Sequence, residues 1–98
     1  MNEITIYQNN SKTINVSIEG LDTLTGYTAV LTCKKNIDDN ILFEITGTTI
    51  GLVSTFKLLP THTNLTTNTY NYDITISNDV DIYTVVQSVI KIIDSVKY

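Results

Sequence analysis

His62 and Cys33 are the only histidine and the only cysteine in this chain of 98 residues. They are the side chains best suited to act as general base or nucleophile near neutral pH. A catalytic histidine needs an orienting carboxylate and a nucleophile in reach. His62 stands between Thr61 and Thr63, just after Pro60, in a threonine-rich stretch, and reads as an exposed loop residue. Cys33 falls on the same side of an alternating strand as Tyr27, Ala29 and Leu31. That phase makes it a small core residue, whereas a reactive thiolate wants an exposed, electropositive setting. Asp22, Asp38, Asp39, Asp79 and Asp81 occupy predicted turns. Loop carboxylates can hold calcium, but no twelve-residue calcium loop is present and aspartate is common in turns. The triplets beginning at Asn9, Asn15 and Asn64 match the glycosylation pattern, as chance allows in a chain with 10 Asn and 17 Thr. There is no phosphate-cradling glycine loop, no metal-spaced Cys/His set and no convincing carboxylate pair. The expectation is a non-enzymatic protein with no catalytic, cofactor-binding or metal-binding residues and no cofactor.

The elements around these residues are strands. Thr, Ile and Val supply 39 of the 98 residues, and Ala occurs once. β-Branched side chains are stiff at χ1 and suit a pleated sheet. From Tyr27 to Lys34 the chain alternates, with Tyr27, Ala29, Leu31 and Cys33 on one side. The same period of two returns over residues 70–77, where Tyr70, Tyr72, Ile74 and Ile76 share a face. A tyrosine opening a late strand can hydrogen-bond back to the loop before it. Further strands are predicted over residues 4–8, 12–19, 41–45, near 49–50, and over 53–58, 82–87 and 88–96. Residues 41, 43 and 45 are expected inward, and the adjacent Ile92 and Ile93 suggest a bulge or a strand buried on both faces. Residues 59–69 break the pattern and read as a long connection with a helical turn near 63–66; residues 78–81 read as a tight turn at positive φ. The core is expected to join Ile14, Val16, Tyr27, Ala29, Leu31, Cys33, Phe43, Phe56, Tyr72, Ile74 and Ile90. Seven or eight strands with turns every 8–12 residues predict an all-β fold, an immunoglobulin-like antiparallel β-sandwich, with residues 1–98 forming a single domain.

Charge narrows the function classes. The net charge is −4, there is no arginine, and the six lysines are scattered. Nucleic-acid binding needs a basic patch to collect phosphates, so no nucleic-acid partner is expected. An acidic surface disfavours anionic membranes, and no apolar run approaches the roughly 18 residues of a membrane span. With one cysteine no intrachain disulfide can form, which suits an intracellular protein or a virion component assembled in the cytoplasm. Residues 1–4 carry no basic-then-apolar signal, so export by the standard route is not expected.

The order of features resembles a family of small phage virion domains: the immunoglobulin-like N-terminal domain of phage baseplate upper proteins and related short phage structural proteins. The matching pieces are Ile4-Thr5-Ile6-Tyr7-Gln8 followed at once by Lys12-Thr13-Ile14-Asn15-Val16-Ser17-Ile18, then Leu24-Thr25-Gly26-Tyr27-Thr28-Ala29 leading a strand that ends in Lys34-Lys35. Phe56-Lys57-Leu58, Asn68-Thr69-Tyr70-Asn71-Tyr72-Asp73-Ile74 and Ser88-Val89-Ile90-Lys91-Ile92 follow in order. Where the family carries Gly-Asp between its first strands this chain has Asn9-Asn10-Ser11, and where it favours Gly before the Tyr-x-Tyr strand this chain has Asn68-Thr69. Asn can replace Gly at positive φ. In baseplate proteins a fibre-forming region follows the domain, whereas here the sequence stops at Tyr98.

The resemblance implies an auxiliary capsid protein of a phage virion, for decoration or head-fibre attachment, docking in many copies on the particle surface. A tail or baseplate adaptor and a carbohydrate- or receptor-binding module are the alternatives. The implied partners are other virion proteins, of the capsid or tail, with surface glycans for the third reading. The implied localisation is the virion, assembled in the host cytoplasm. The candidate partner-docking element is the first strand, Ile4, Thr5, Ile6, Tyr7 and Gln8, acting as an open sheet edge.

Overall fold

The computed structural model describes residues 3–20, 24–36 and 40–94. Asp22, Asp38 and Asp39 lie outside the described residues. Among the described residues eight strands form two sheets. They are β1 (Ile4–Tyr7), β2 (Lys12–Ser17), β3 (Thr28–Lys34), β4 (Ile41–Thr46), β5 (Thr48–Ile50), β6 (Val53–Leu58), β7 (Asn68–Ser77) and β8 (Ile82–Ile93), with one short helix, α1 (Pro60–Thr63), between β6 and β7. The first sheet runs β1-β8-β7-β3-β4 and the second β2-β6-β5. Every pairing is antiparallel except β1 with β8, which is parallel.

The alternation read from sequence sets the faces. Leu31 pairs with Ile74 and Cys33 with Tyr72 across β3 and β7. Leu31, Cys33 and Ile74 are fully buried, as are Phe56 and Leu58 from the opposite sheet. Of the expected core, Ala29, Tyr72 and Ile90 are also buried, while Ile14, Val16, Tyr27 and Phe43 are partly buried and pack against it. Three of those four lie on β2 and β4, the outermost strands of their sheets, where one flank meets solvent. Burying one large aliphatic or aromatic side chain contributes about 1.5–3 kcal/mol, so this shared face is the main stabilising element.

Several local expectations are corrected. Residues 82–93 form one strand, not two. Its register shifts where Ile74 faces Val86 and Thr75 faces Thr84, so Val85 is the extra residue that absorbs the break. No bulge is needed at Ile92 and Ile93, because Ile92 is buried and Ile93 faces out. Ile41 is half exposed, not inward. Cys33 pairs with Phe43 but Lys34 with Ile41, so a bulge at Leu42 turns Ile41 to the outer face. The helical turn is Pro60–Thr63 rather than residues 63–66. Proline at the first helical position fixes φ where its missing N–H is no loss. The 78–81 turn needs no positive φ. Asn78 accepts N–H bonds from Val80 and Asp81 on its own Oδ1 at 2.8 and 2.7 Å, an Asx turn. Among the described residues the one non-glycine at positive φ is Asn9, at 65°, in the turn between the first two strands.

Gly47 joins β4 to β5, and its N–H bonds Ala29 C=O at 2.8 Å. A Cβ placed there would lie 2.7 Å from Cε1 of Phe56, whose ring is fully buried and has nowhere to retreat. Gly47→Ala is expected to cost about 1–3 kcal/mol by overpacking, read as a lowered urea midpoint with unchanged slope.

Candidate docking edge

The chemistry-bearing residues serve structural ends. His62 is partly buried within α1, not exposed on a loop. Its Nδ1 accepts the Leu59 N–H at 2.9 Å, and its ring stacks on Phe43 with centroids 5.2 Å apart. It satisfies the backbone N–H of Leu59, the residue before α1, while the His62 and Thr63 N–H groups bond Leu59 C=O at 2.8 and 3.2 Å. The Cys33 thiol is fully buried, and burial pushes its pKa up from 9.0 to about 12. Tyr70 is buried and its hydroxyl donates to Thr66 C=O, the loop-back bond expected of a tyrosine opening this strand. Desolvation, with the nearby Cys33 second, raises the Tyr70 pKa. The Lys35 ammonium sits over its ring, 5.2 Å from the centroid. Among the described residues no group of three His, Cys, Asp or Glu is placed to hold a metal, and no helix is long and apolar enough to cross a membrane.

β1 is an outer strand of the five-stranded sheet, as the sequence suggests. The structure divides its residues into two roles. Ile4 and Ile6 are buried and anchor the strand in the core. Gln8 lies just past the strand and is held in place. Its N–H donates to Ile93 C=O at 2.8 Å, and its side-chain Nε2 donates to Leu65 C=O at 2.8 Å. Gln8 is therefore a strut, not part of the open edge. Backbone direction alternates along a strand, so Ile6 and Ile4 share Gln8's bonding toward β8, and Thr5 and Tyr7 turn their N–H groups away from it. Tyr7 C=O accepts from Asn10 N–H at 3.1 Å. Among the described residues the Thr5 N–H and C=O and the Tyr7 N–H remain open at the edge, beside the Tyr7 ring, which is 50% exposed.

The far end of β1 is pinned to the α1 loop. Thr63 is fully buried, its Oγ1 donates to Asn10 C=O at 2.7 Å, and its C=O accepts from Asn9 N–H at 3.3 Å. This clamp sets where the edge stands, and sequence reasoning missed it. The only local signal was a threonine three residues after a proline. A surface ion pair, Glu3 to Lys91 at 3.3 Å, adds little at this exposure.

Two depressions mark the surface. One, about 720 Å³, lies between residues 15–20 and residues 83–86, with Ile76 at its floor. The other, about 330 Å³, is on the outer face of the five-stranded sheet, where Lys34, Asn71, Asp73 and Gln87 meet. Neither was read from sequence, because each is assembled from strands distant in the chain.

No protein-family profile matches the chain, and no curated protein matches it in sequence. Solved structures do match its fold. The Ig-like domain of mouse leukocyte-associated immunoglobulin-like receptor 1, crystallised as a strand-swapped dimer, aligns with TM-score 0.58 at 16% identity, over 96% of this chain and 91% of that one. The extracellular domain of the same receptor, also a strand-swapped dimer, aligns with TM-score 0.56 at 16% identity, over 96% and 90%. An uncharacterized protein from Bacillus anthracis str. Ames aligns with TM-score 0.44 at 12% identity, over 89% and 76%. The chain is an immunoglobulin-like β-sandwich.

Three outcomes follow from the buried groups. Cys33 should resist alkylation at about pH 8 in the folded protein and react once unfolded in urea. Its raised pKa means that, above 9.0, only the unfolded chain ionises the thiol, so stability should fall as pH rises from 9.0 toward about 12. Urea midpoints measured across that window should drop, and less so in Cys33→Ala. Separately, Tyr70→Phe removes the donor to Thr66 and should cost about 0.5–1.5 kcal/mol in the same assay at neutral pH.

Proposed function

We propose that this chain is a non-enzymatic structural protein of a phage virion, an auxiliary capsid protein that docks in many copies on the particle surface. The observation that carries the reading is the open β1 edge. Thr5 and Tyr7 offer unpaired backbone groups on a strand whose position is held by buried Ile4 and Ile6 and by the Gln8 and Thr63 bonds. A fixed, unpaired edge is a template for strand addition by a partner. It carries few protective charges beyond Glu3, and no proline. Repetition over a particle turns a modest contact into stable attachment through avidity.

The family resemblance supports the same reading. Leu24-Thr25-Gly26-Tyr27 forms a turn in which Tyr27 N–H bonds Leu24 C=O at 3.0 Å, Leu24 is buried and Gly26 holds φ 86°. Asn9 takes the positive φ where that family carries glycine. A tail or baseplate adaptor uses the same edge on a different particle component. The partners in both cases are other virion proteins, and the chain is assembled with them in the host cytoplasm. The carbohydrate-binding reading has a separate seat, the depression on the outer face of the five-stranded sheet, where the Asn71, Asp73 and Gln87 side chains suit sugar hydroxyls. Glycan binding lost in Asn71→Ala would favour it.

The test is Thr5→Pro, which removes an outward N–H and leaves the bonds to β8 intact. The folded variant is expected to join particles at a small fraction of the parent's copy number, measured by quantitative mass spectrometry of purified virions. Incorporation equal to the parent would exclude docking through this edge.

A further inference from the structure

The larger depression lies where the side of the sandwich is unfinished. β1 covers β8 only from Ile90 to Ile93. Further back along β8, residues 83–86 form one wall of the cleft and have β7 as their sole hydrogen-bonded neighbour among the described residues. The other wall, residues 15–20, includes the free side of β2, which pairs with β6 alone. Ile18 N–H donates to Leu52 C=O at 2.8 Å, in line with the β2–β6 ladder. By the alternation of that ladder, the N–H and C=O of Asn15 and Ser17 face the open side. Two sheet edges, unpaired among the described residues, thus flank one cleft, and its walls carry the buried Ile18, Ile76 and Val86 and the half-buried Val16.

Resting on the docking reading above, we propose that this cleft takes an extended segment of a partner protein as an added strand, continuing the line of β1. The chemistry of the occupant can be read from β1, which already fills the neighbouring stretch of the same side. It has isoleucine at alternate positions, each 5% exposed, with polar or amphipathic residues between. The occupant should repeat that period of two. It should also carry a cation. Glu19 is the single charged residue lining the cleft, is exposed, and has no ion-pair partner among the described residues. The chain's net charge of −4 argues against a second copy of itself as the occupant. Residues 15–18, the end of β2 and its hydrogen-bonded continuation at Ile18, span about 13 Å, enough for about four residues of a partner.

The probe is a capped synthetic peptide alternating isoleucine and threonine, with one lysine at its end, titrated into the full chain and followed by amide NMR and hydrogen exchange. Binding should shift and protect the amides of Asn15, Ser17 and Thr84. Ser17→Pro, which removes an outward N–H, should weaken binding about tenfold. Glu19→Lys should weaken it about two- to fivefold and let a glutamate-bearing peptide bind in its place; this variant keeps the test valid where Ser17→Pro fails to fold. No shift at these amides at about millimolar peptide overturns the inference, as does protection confined to Thr5 and Tyr7. Concentration-dependent dimerisation of the free chain that protects the same amides assigns the cleft to a second copy and also overturns it. Virion incorporation separates this inference from the docking reading. Loss in Thr5→Pro with parental incorporation of Ser17→Pro leaves docking through β1 standing and removes the cleft as a partner site. Peptide binding in the cleft, with parental incorporation of both variants, supports the strand-accepting cleft and overturns docking through β1.

Discussion

The register of β3 against β7 is the constraint from which the rest of the sandwich follows. Leu31 faces Ile74 and Cys33 faces Tyr72, and a slip of one residue would turn Thr32 and Asp73 into the core. β7 then carries β8 along its other side for the length of the strand, with one extra residue, Val85, absorbed as a bulge. β8 in turn carries β1 in parallel. β1, the docking element read from the sequence, is therefore positioned through two intermediate strands, and its placement depends on a register set at the centre.

A second set of constraints is polar and sits at one end of the molecule. Tyr70 holds Thr66, Thr63 holds Asn10, and Gln8 holds Leu65. These bonds join the start of β7, the α1 loop and the end of β1, three pieces of chain that do not pair with one another as strands. His62 belongs to the same corner, closing α1 and stacking on Phe43. The residues that first suggest chemistry are thus spent on architecture. A buried thiol with a raised pKa and a tyrosine hydroxyl bonded to backbone are stabilising features of a small core, not reactive groups.

In the docking reading proposed above, function falls to surface and edge. The side of the sandwich formed by β1, β2 and β8 concentrates the unpaired backbone, with an occupied half where β1 lies and an open half where the cleft lies. Open edges in water cost little, because water satisfies them, but they offer a partner strand both hydrogen bonds and an apolar floor. A protein that works by docking needs no more than this, provided the edge is rigid. The buried isoleucines of β1 supply that rigidity.

The strands and their inward faces were legible in the sequence because a period of two maps residue by residue onto the faces of a sheet. Leu31, Cys33, Phe56 and Ile74 could be assigned to the core from phase alone, and β1 could be recognised as a short first strand. Bulges were not legible. The exposure of Ile41 and the continuity of β8 through Val85 depend on how one strand meets its neighbour, which no single stretch encodes. Nor were the parallel pairing of β1, the role of Gln8 as a strut, or the bond from Thr63 to Asn10, which joins residues 53 positions apart. The cleft is the clearest case, since its walls come from β2 and β8 and exist only once two sheets have packed. Local alternation determined which side chains are buried. Long-range pairing, driven by the burial of those side chains, decided which edges stay open among the described residues.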